Sequence, residues 1–219
     1  VSTFPPNQRT PKKARNARGA DTRERLLQAA VDLLWLHGYG SVTIDQLCER
    51  AGVQKGSFYH FFDSKLDLTA AAVQWNWEER RQQLDRIFSA SVPAIERLTN
   101  YFANAYERQI GFQKDTGQVL GCLYFCLGSE VTKHENVVSS LIGDIVRQII
   151  RYYESALRDG VADGTVKVRD PAASAVTLFS YVEGCLTQAR IRNDPEVVRH
   201  MGEAALRMIG AEPATAVPV

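Results

Sequence analysis

Lys55, Ser57, Tyr59 and His60 bring a cation, a hydroxyl, a phenol and an imidazole onto one short segment that also holds Phe58, Phe61 and Phe62. At helical spacing the phenylalanines make one apolar stripe and the polar four point elsewhere. Such groups bond phosphate oxygens and base edges of nucleic acid, and a helix N-terminus beneath them adds free backbone N–H groups and a favourable dipole. Thr43 and Lys65, each at the start of a neighbouring helix, are placed to clamp phosphates on either side. An ordinary helical hairpin with a solvated polar face has the same spacing.

Charge along the chain favours the nucleic-acid reading. The net charge of the 219 residues is only +1, but residues 1–66 hold ten Lys/Arg against six Asp/Glu, which is +4, and the remainder is −3. A basic N-terminal third on a mildly acidic body suits a protein that meets a polyanion at one end.

The elements that must position these groups are legible as helices. Asp21 with Glu24 reads as a capping box opening a helix that Gly38 and Gly40 end. Thr43 with Gln46 opens a second, two-turn helix ending at Gly52, and a third short helix spans 55–61. Ser64 as N-cap, with Asp67 at the third position, starts a long fourth helix from Lys65 towards Phe88. Further helices are expected near 93–113, 118–130, 135–159, 171–191 and 195–209, with Asp170 and Asp194 as N-caps of the last two. Those two carry apolar stripes: Ala175, Leu178, Phe179, Val182, Leu186 and Ala189, then Val197, Met201, Ala204, Ala205 and Met208. The expected fold is all-α. It comprises a basic flexible arm (1–20), a three-helix helix-turn-helix DNA-binding domain (21–65), a larger helical body (66–211) and a flexible tail (212–219). No apolar run approaches the roughly 18 residues of a membrane span, and the polar, basic N-terminus is unlike an export signal, so a cytoplasmic protein is the expectation.

Helix 43–51, turn 52–54 and helix 55–61 satisfy the helix-turn-helix pattern, in which the second short helix enters the DNA major groove. The run from Thr22 to Lys65 also resembles the DNA-binding domain of the tetracycline-repressor (TetR) family. It does so through Arg25-Leu26-Leu27-Gln28-Ala29-Ala30, Gly38-Tyr39, Ser41-Val42-Thr43-Ile44, Ala51-Gly52-Val53 and Lys55-Gly56-Ser57-Phe58-Tyr59-His60-Phe61-Phe62, closing in Ser64-Lys65. The resemblance implies that Lys55, Ser57, Tyr59 and His60 face a double-stranded DNA operator. It implies also that Thr43 and Lys65 touch phosphate, that Gly56 permits close approach, and that Phe58 and Phe61 are core. Cys48 stands where the family more often has an aliphatic residue or alanine. Family members are homodimers whose C-terminal domain binds a small-molecule effector, so the resemblance implies that 66–211 is an effector-binding and dimerisation domain and that helices 171–191 and 195–209 form the dimer interface.

The body is rich in residues able to line an effector pocket, though aromatic residues at helical spacing also build cores. The candidates are Phe102, Tyr106, Cys122, Phe125, Tyr152, Phe179 and Glu183. Cys122 lies in Gly121-Cys122-Leu123, which resembles a stretch in a subset of the family, followed by Glu130, where the inducer cavity is approached. Cys122 and Cys126 share a helix face, but β-carbons about 5–6 Å apart in a helix exceed the roughly 3.5–4.5 Å of a disulfide.

Two other classes stand beside the ligand-responsive repressor. One is a redox-responsive regulator using Cys122 and Cys126. The other is a helical enzyme, for which no H-E-x-x-H, G-x-S-x-G, P-loop or dinucleotide fingerprint is present. Neither a metal nor a cofactor is expected, because His37, His60, His134 and His200 form no ligand-like pair and the four cysteines no C-x-x-C.

Overall fold

The computed structural model describes residues 12–131 and 136–211, and these build ten helices with no strand among them. The helices are α1 (Lys12–His37), α2 (Ile44–Ala51), α3 (Lys55–Phe61), α4 (Lys65–Ile87), α5 (Ala94–Thr116), α6 (Leu123–Glu130), α7 (Asn136–Ala162), α8 (Pro171–Arg192), α9 (Glu196–Arg199) and α10 (Met201–Met208). None of them is long and apolar enough to cross a membrane.

Local chemistry sets the N-terminal helices. Thr43 caps α2: its hydroxyl accepts from the Gln46 N–H at 3.3 Å, and Gln46 Oε1 accepts from the Thr43 N–H at 2.8 Å. Gly52 ends the helix at φ +62, a left-handed conformation that costs glycine nothing. Arg25 of α1 reaches the same end and donates to the Ala51 carbonyl at 3.1 Å. Ser64 caps α4 by accepting from the Asp67 N–H at 3.1 Å.

Five sequence expectations are corrected. Helix α1 begins by Lys12, so residues 12–20 are helical rather than part of an arm, while residues 1–11 and 212–219 lie outside the described residues. Asp21 is therefore inside a helix and pairs with Arg25 one turn on, at 3.2 Å; the spacing of a capping box is also the spacing of helical neighbours. The 195–209 helix is two, α9 and α10, broken at His200, and the 118–130 helix starts only at Leu123. Asp170 caps α8 through the Ala172 and Ala173 N–H groups; Pro195 is the N-cap of α9, with Asp194 accepting from the Glu196 N–H at 3.0 Å.

One continuous core runs from α1 to α10. Helix α4 packs on both α1 and α7, so it joins the N-terminal three helices to the rest, and α7 lies along α8. The α8 stripe Ala175, Leu178, Phe179, Val182, Leu186 and Ala189 is buried within this chain, as are Met201 and Ala205 of α10. Those residues are therefore not available to a partner. The outer surface of α8 and α10 exposes Val176 and Ile191, outside the expected stripes, and Met208 from the second of them.

Candidate nucleic-acid interface and internal cavity

Phe58 is fully buried and Phe62 nearly so, and they anchor α3 against the core. Phe61 is only partly buried, so Phe62 replaces it as the second anchor. The opposite side is open. Tyr59 is 52% exposed, its ring held edge-on to Phe58 with centroids 5.1 Å apart, and Lys55, Gly56 and His60 are exposed while Ser57 is half-buried. A β-carbon on Gly56 would meet nothing within 4 Å, so nothing inside the fold requires glycine there.

Two of the cations are already engaged. Lys55 pairs with Asp45 of α2 at 2.7 Å, and that bond raises its pKa. Lys65 donates to the Tyr39 and Val42 carbonyls at 2.8 and 2.9 Å and lies over the Tyr39 ring at 4.2 Å. It pins the start of α4 to the turn between α1 and α2 with two of its three N–H donors. Thr43 is exposed, but its hydroxyl serves the α2 cap.

In the body, helices α4, α5, α7 and α8 and the start of α6 enclose a cavity of about 40 Å³, which Trp35 of α1 also lines. Of the seven expected effector residues, Cys122 and Glu183 line it. The other five are elsewhere. Phe102 and Tyr106 border a surface groove of about 330 Å³ between α5 and α10, where the Tyr106 hydroxyl donates to Glu196 at 2.6 Å. Phe125 is 44% exposed. Tyr152 stacks near Phe88 and donates to Asp85, and Phe179 packs into the core beside Tyr153.

The residues that sequence reasoning missed are polar: Asn76, Arg80, Arg108 and Gln109. Their signal was present, since Arg108 and Gln109 fall two turns past Tyr101 and one turn past Ala105 on a face that is otherwise core. Glu183 is 3% exposed and one of its oxygens has no partner among the described residues; burial pushes its carboxyl up to about 7. Burial also pushes the Cys122 thiol well up, and raises Cys126. All four cysteines are free. A reactive cysteine needs a stabilised thiolate, and these two thiols are shifted the opposite way. Among the described residues no group of three or more His, Cys, Asp or Glu is placed to hold a metal.

Contacts cross from the cavity wall to the N-terminal helices. Trp35 Nε1 donates to the Leu120 carbonyl at 3.0 Å, two residues before Cys122, and Arg190 of α8 donates to the same oxygen at 2.6 Å. At the far end of α6, Glu130 accepts from the Tyr39 N–H at 2.6 Å.

Residues 26–72 match the family model described as bacterial regulatory proteins, tetR family, and residues 94–205 match the tetracyclin repressor-like C-terminal domain. Over 177 residues the chain is 25% identical to the transcriptional repressor DhaR of Mycobacterium sp. (strain GP1), covering 80% of this chain and 85% of that one. It is 27% identical to the repressor NemR of Escherichia coli over 173 residues, 78% and 85% of the two chains. The crystal structure of E. coli NemR in its reduced form superposes with a TM-score of 0.75 at 26% identity, covering 89% of this chain and all of that one. A regulatory protein TetR from Rhodobacter sphaeroides gives a TM-score of 0.78 at 25% identity, over 85% and 98% of the chains.

Proposed function

The chain belongs to the TetR family of bacterial regulatory proteins, and from that premise we propose that it is a dimeric repressor that releases its operator when a small molecule enters the cavity beside Cys122 and Glu183. The observation that carries the DNA-binding half is α3, anchored by Phe58 with Lys55, Gly56, Tyr59 and His60 on its open side. A helix buried on one face and polar, glycine-relieved and unobstructed on the other suits the major groove. Tyr59, His60 and Ser57 take base edges and nearby phosphates. Lys55, Thr43 and the remaining donor of Lys65 take backbone phosphates.

Dimerisation through the outer faces of α8 and α10 sets two copies of α3 at the spacing of successive major grooves, about 34–36 Å. Exposed Val176, Ile191 and Met208 support this assignment. The release half follows from position. Cys122 lines the cavity and immediately precedes α6, and α6 ends on the Tyr39 turn that Lys65 also grips. A ligand that widens the cavity shifts α6 and with it the N-terminal helices. It moves the equilibrium only by its differential affinity for the two states.

A gel shift on the DNA upstream of the chain's own gene, with competitor DNA present, tests this reading. A discrete shift that Tyr59→Ala abolishes is expected. Lys55→Ala should bind that site more weakly, with a log–log salt slope shallower by about 1. If both variants bind an identified operator with wild-type affinity and salt dependence, α3 is not the reading helix.

A further inference from the structure

Most polar groups around the cavity already have partners. The Tyr124 hydroxyl donates to Asn76 at 2.9 Å, and Gln109 exchanges two bonds with the Gly121 backbone, at 2.9 and 3.3 Å. Arg80 turns one nitrogen to the side-chain carbonyls of Gln83 and Asn104, the latter at 2.9 Å. Arg108 differs. Among the described residues its guanidinium makes no hydrogen bond or ion pair, and it meets only ring faces, those of Trp35 and Phe112 at 5.8 and 5.4 Å from their centroids.

A guanidinium carries five N–H donors and no acceptor, so the half-buried guanidinium of Arg108, with no carboxylate partner among the described residues, leaves donors that suit an anion. The surroundings sharpen it. Burial, with the charge of Arg80 close by, pushes Arg108 down to about 10. Glu183 on the α8 wall does not cancel the two cations at pH below about 7, because burial holds its proton in place up to that point.

We propose that this cavity binds the carboxylate head of a small organic acid, with Arg108 bonding both oxygens and Arg80 supplying the second positive charge. The proposal rests on the regulator reading above, and names the chemical class of its effector. The planar guanidinium fork matches a carboxylate bidentately. Size agrees as well: about 40 Å³ accommodates roughly three waters, comparable with the three heavy atoms of a carboxylate. Any organic remainder must lie against Leu123, Ile149 and Leu186 and part them, and Leu123 opens α6. The acid's body is thus what displaces the helix that its head selects.

Calorimetric titration of the full chain with acetate, propionate and benzoate tests the proposal against acetamide, propionamide, benzamide, propylamine and inorganic phosphate. At least one acid should bind at least about tenfold more tightly than its own amide, and Arg108→Gln should lose at least about tenfold of that affinity. Should Arg108→Gln not fold, Arg108→Lys, which keeps charge but not the fork, should still bind the acid more weakly than wild type. Equal binding of acid and amide, no binding by any acid, tighter binding of the amine or of phosphate, or full acid affinity in a folded Arg108 variant would each overturn it. Titration needs no DNA, so the two readings separate. Acid binding without an operator shift counts against the regulator reading alone, and an operator shift without acid binding counts against the cavity alone.

Discussion

Glu130, the last residue of α6, accepts a hydrogen bond from the Tyr39 N–H at 2.6 Å, ninety-one positions away in the chain. The contact uses a space only glycine leaves open. Gly38 sits at φ +82, and a β-carbon there would come within 2.6 Å of the Glu130 carboxylate oxygens. The end of the cavity helix and the turn leading into the DNA-facing helices thus share one close contact.

Gly38→Ala should therefore destabilise the protein in two ways, by roughly 1–2 kcal/mol for the left-handed backbone and about 1 kcal/mol for the displaced carboxylate. Glu130→Ala alone should lose only the second part. Urea unfolding of the single and double variants checks the overlap: the double variant should lose less than the sum of the singles, and strict additivity would mean that the two residues do not share this contact.

Asp45 places a negative charge beside the proposed DNA face and holds Lys55 at 2.7 Å. Asp45→Asn should free the lysine, tighten DNA binding and steepen its salt dependence. Fluorescence anisotropy across a range of salt concentrations gives the readout, and unchanged or weaker binding would remove this pair from the interface.

The Leu120 carbonyl accepts from both Trp35 and Arg190. Removing one donor leaves the other, so the hydrogen-bond part of the loss in Trp35→Phe or Arg190→Leu should be about 1 kcal/mol each. Together they leave a buried acceptor with only the weak Cys126 thiol donor, at 3.9 Å, and the double variant should lose about 1–2 kcal/mol more than the sum of the singles. Denaturant midpoints of the four proteins decide it.

Glu183 gives a pH signature. Its carboxyl is raised by burial from 4.5 to about 7, among the Cys122 and Cys126 thiols and the Tyr101 and Tyr153 phenols, all neutral in this range. Between these values the unfolded chain has released a proton that the folded chain keeps, so stability falls as pH rises through the window and levels off above about 7. Glu183→Gln removes that loss. Its stability relative to wild type should improve by up to about 3 kcal/mol between pH 4.5 and pH 8, as read from urea melts. A difference independent of pH would mean the carboxyl reaches water.

The N-terminal helices were legible because their signals are local. Thr43 with Gln46, Ser64 with Asp67, and Gly52 after Ala51 each act over three or four residues, and each formed as read. The same locality misled at Asp21, where a capping pair and a mid-helix pair look alike, and at His200, where one apolar stripe spans two helices.

From the sequence alone the all-α class, the helix-turn-helix and the open polar side of α3 were determined, because spacing along a helix fixes which side chains share a face. Tertiary structure decided which faces meet. It buried the α8 stripe within the chain, and it carried Phe102, Tyr106, Phe125, Tyr152 and Phe179 away from the cavity. It also brought Trp35, Arg80, Arg108, Cys122 and Glu183, from separate stretches of chain, around one space. No local pattern encodes that meeting, since it depends on how whole helices pack.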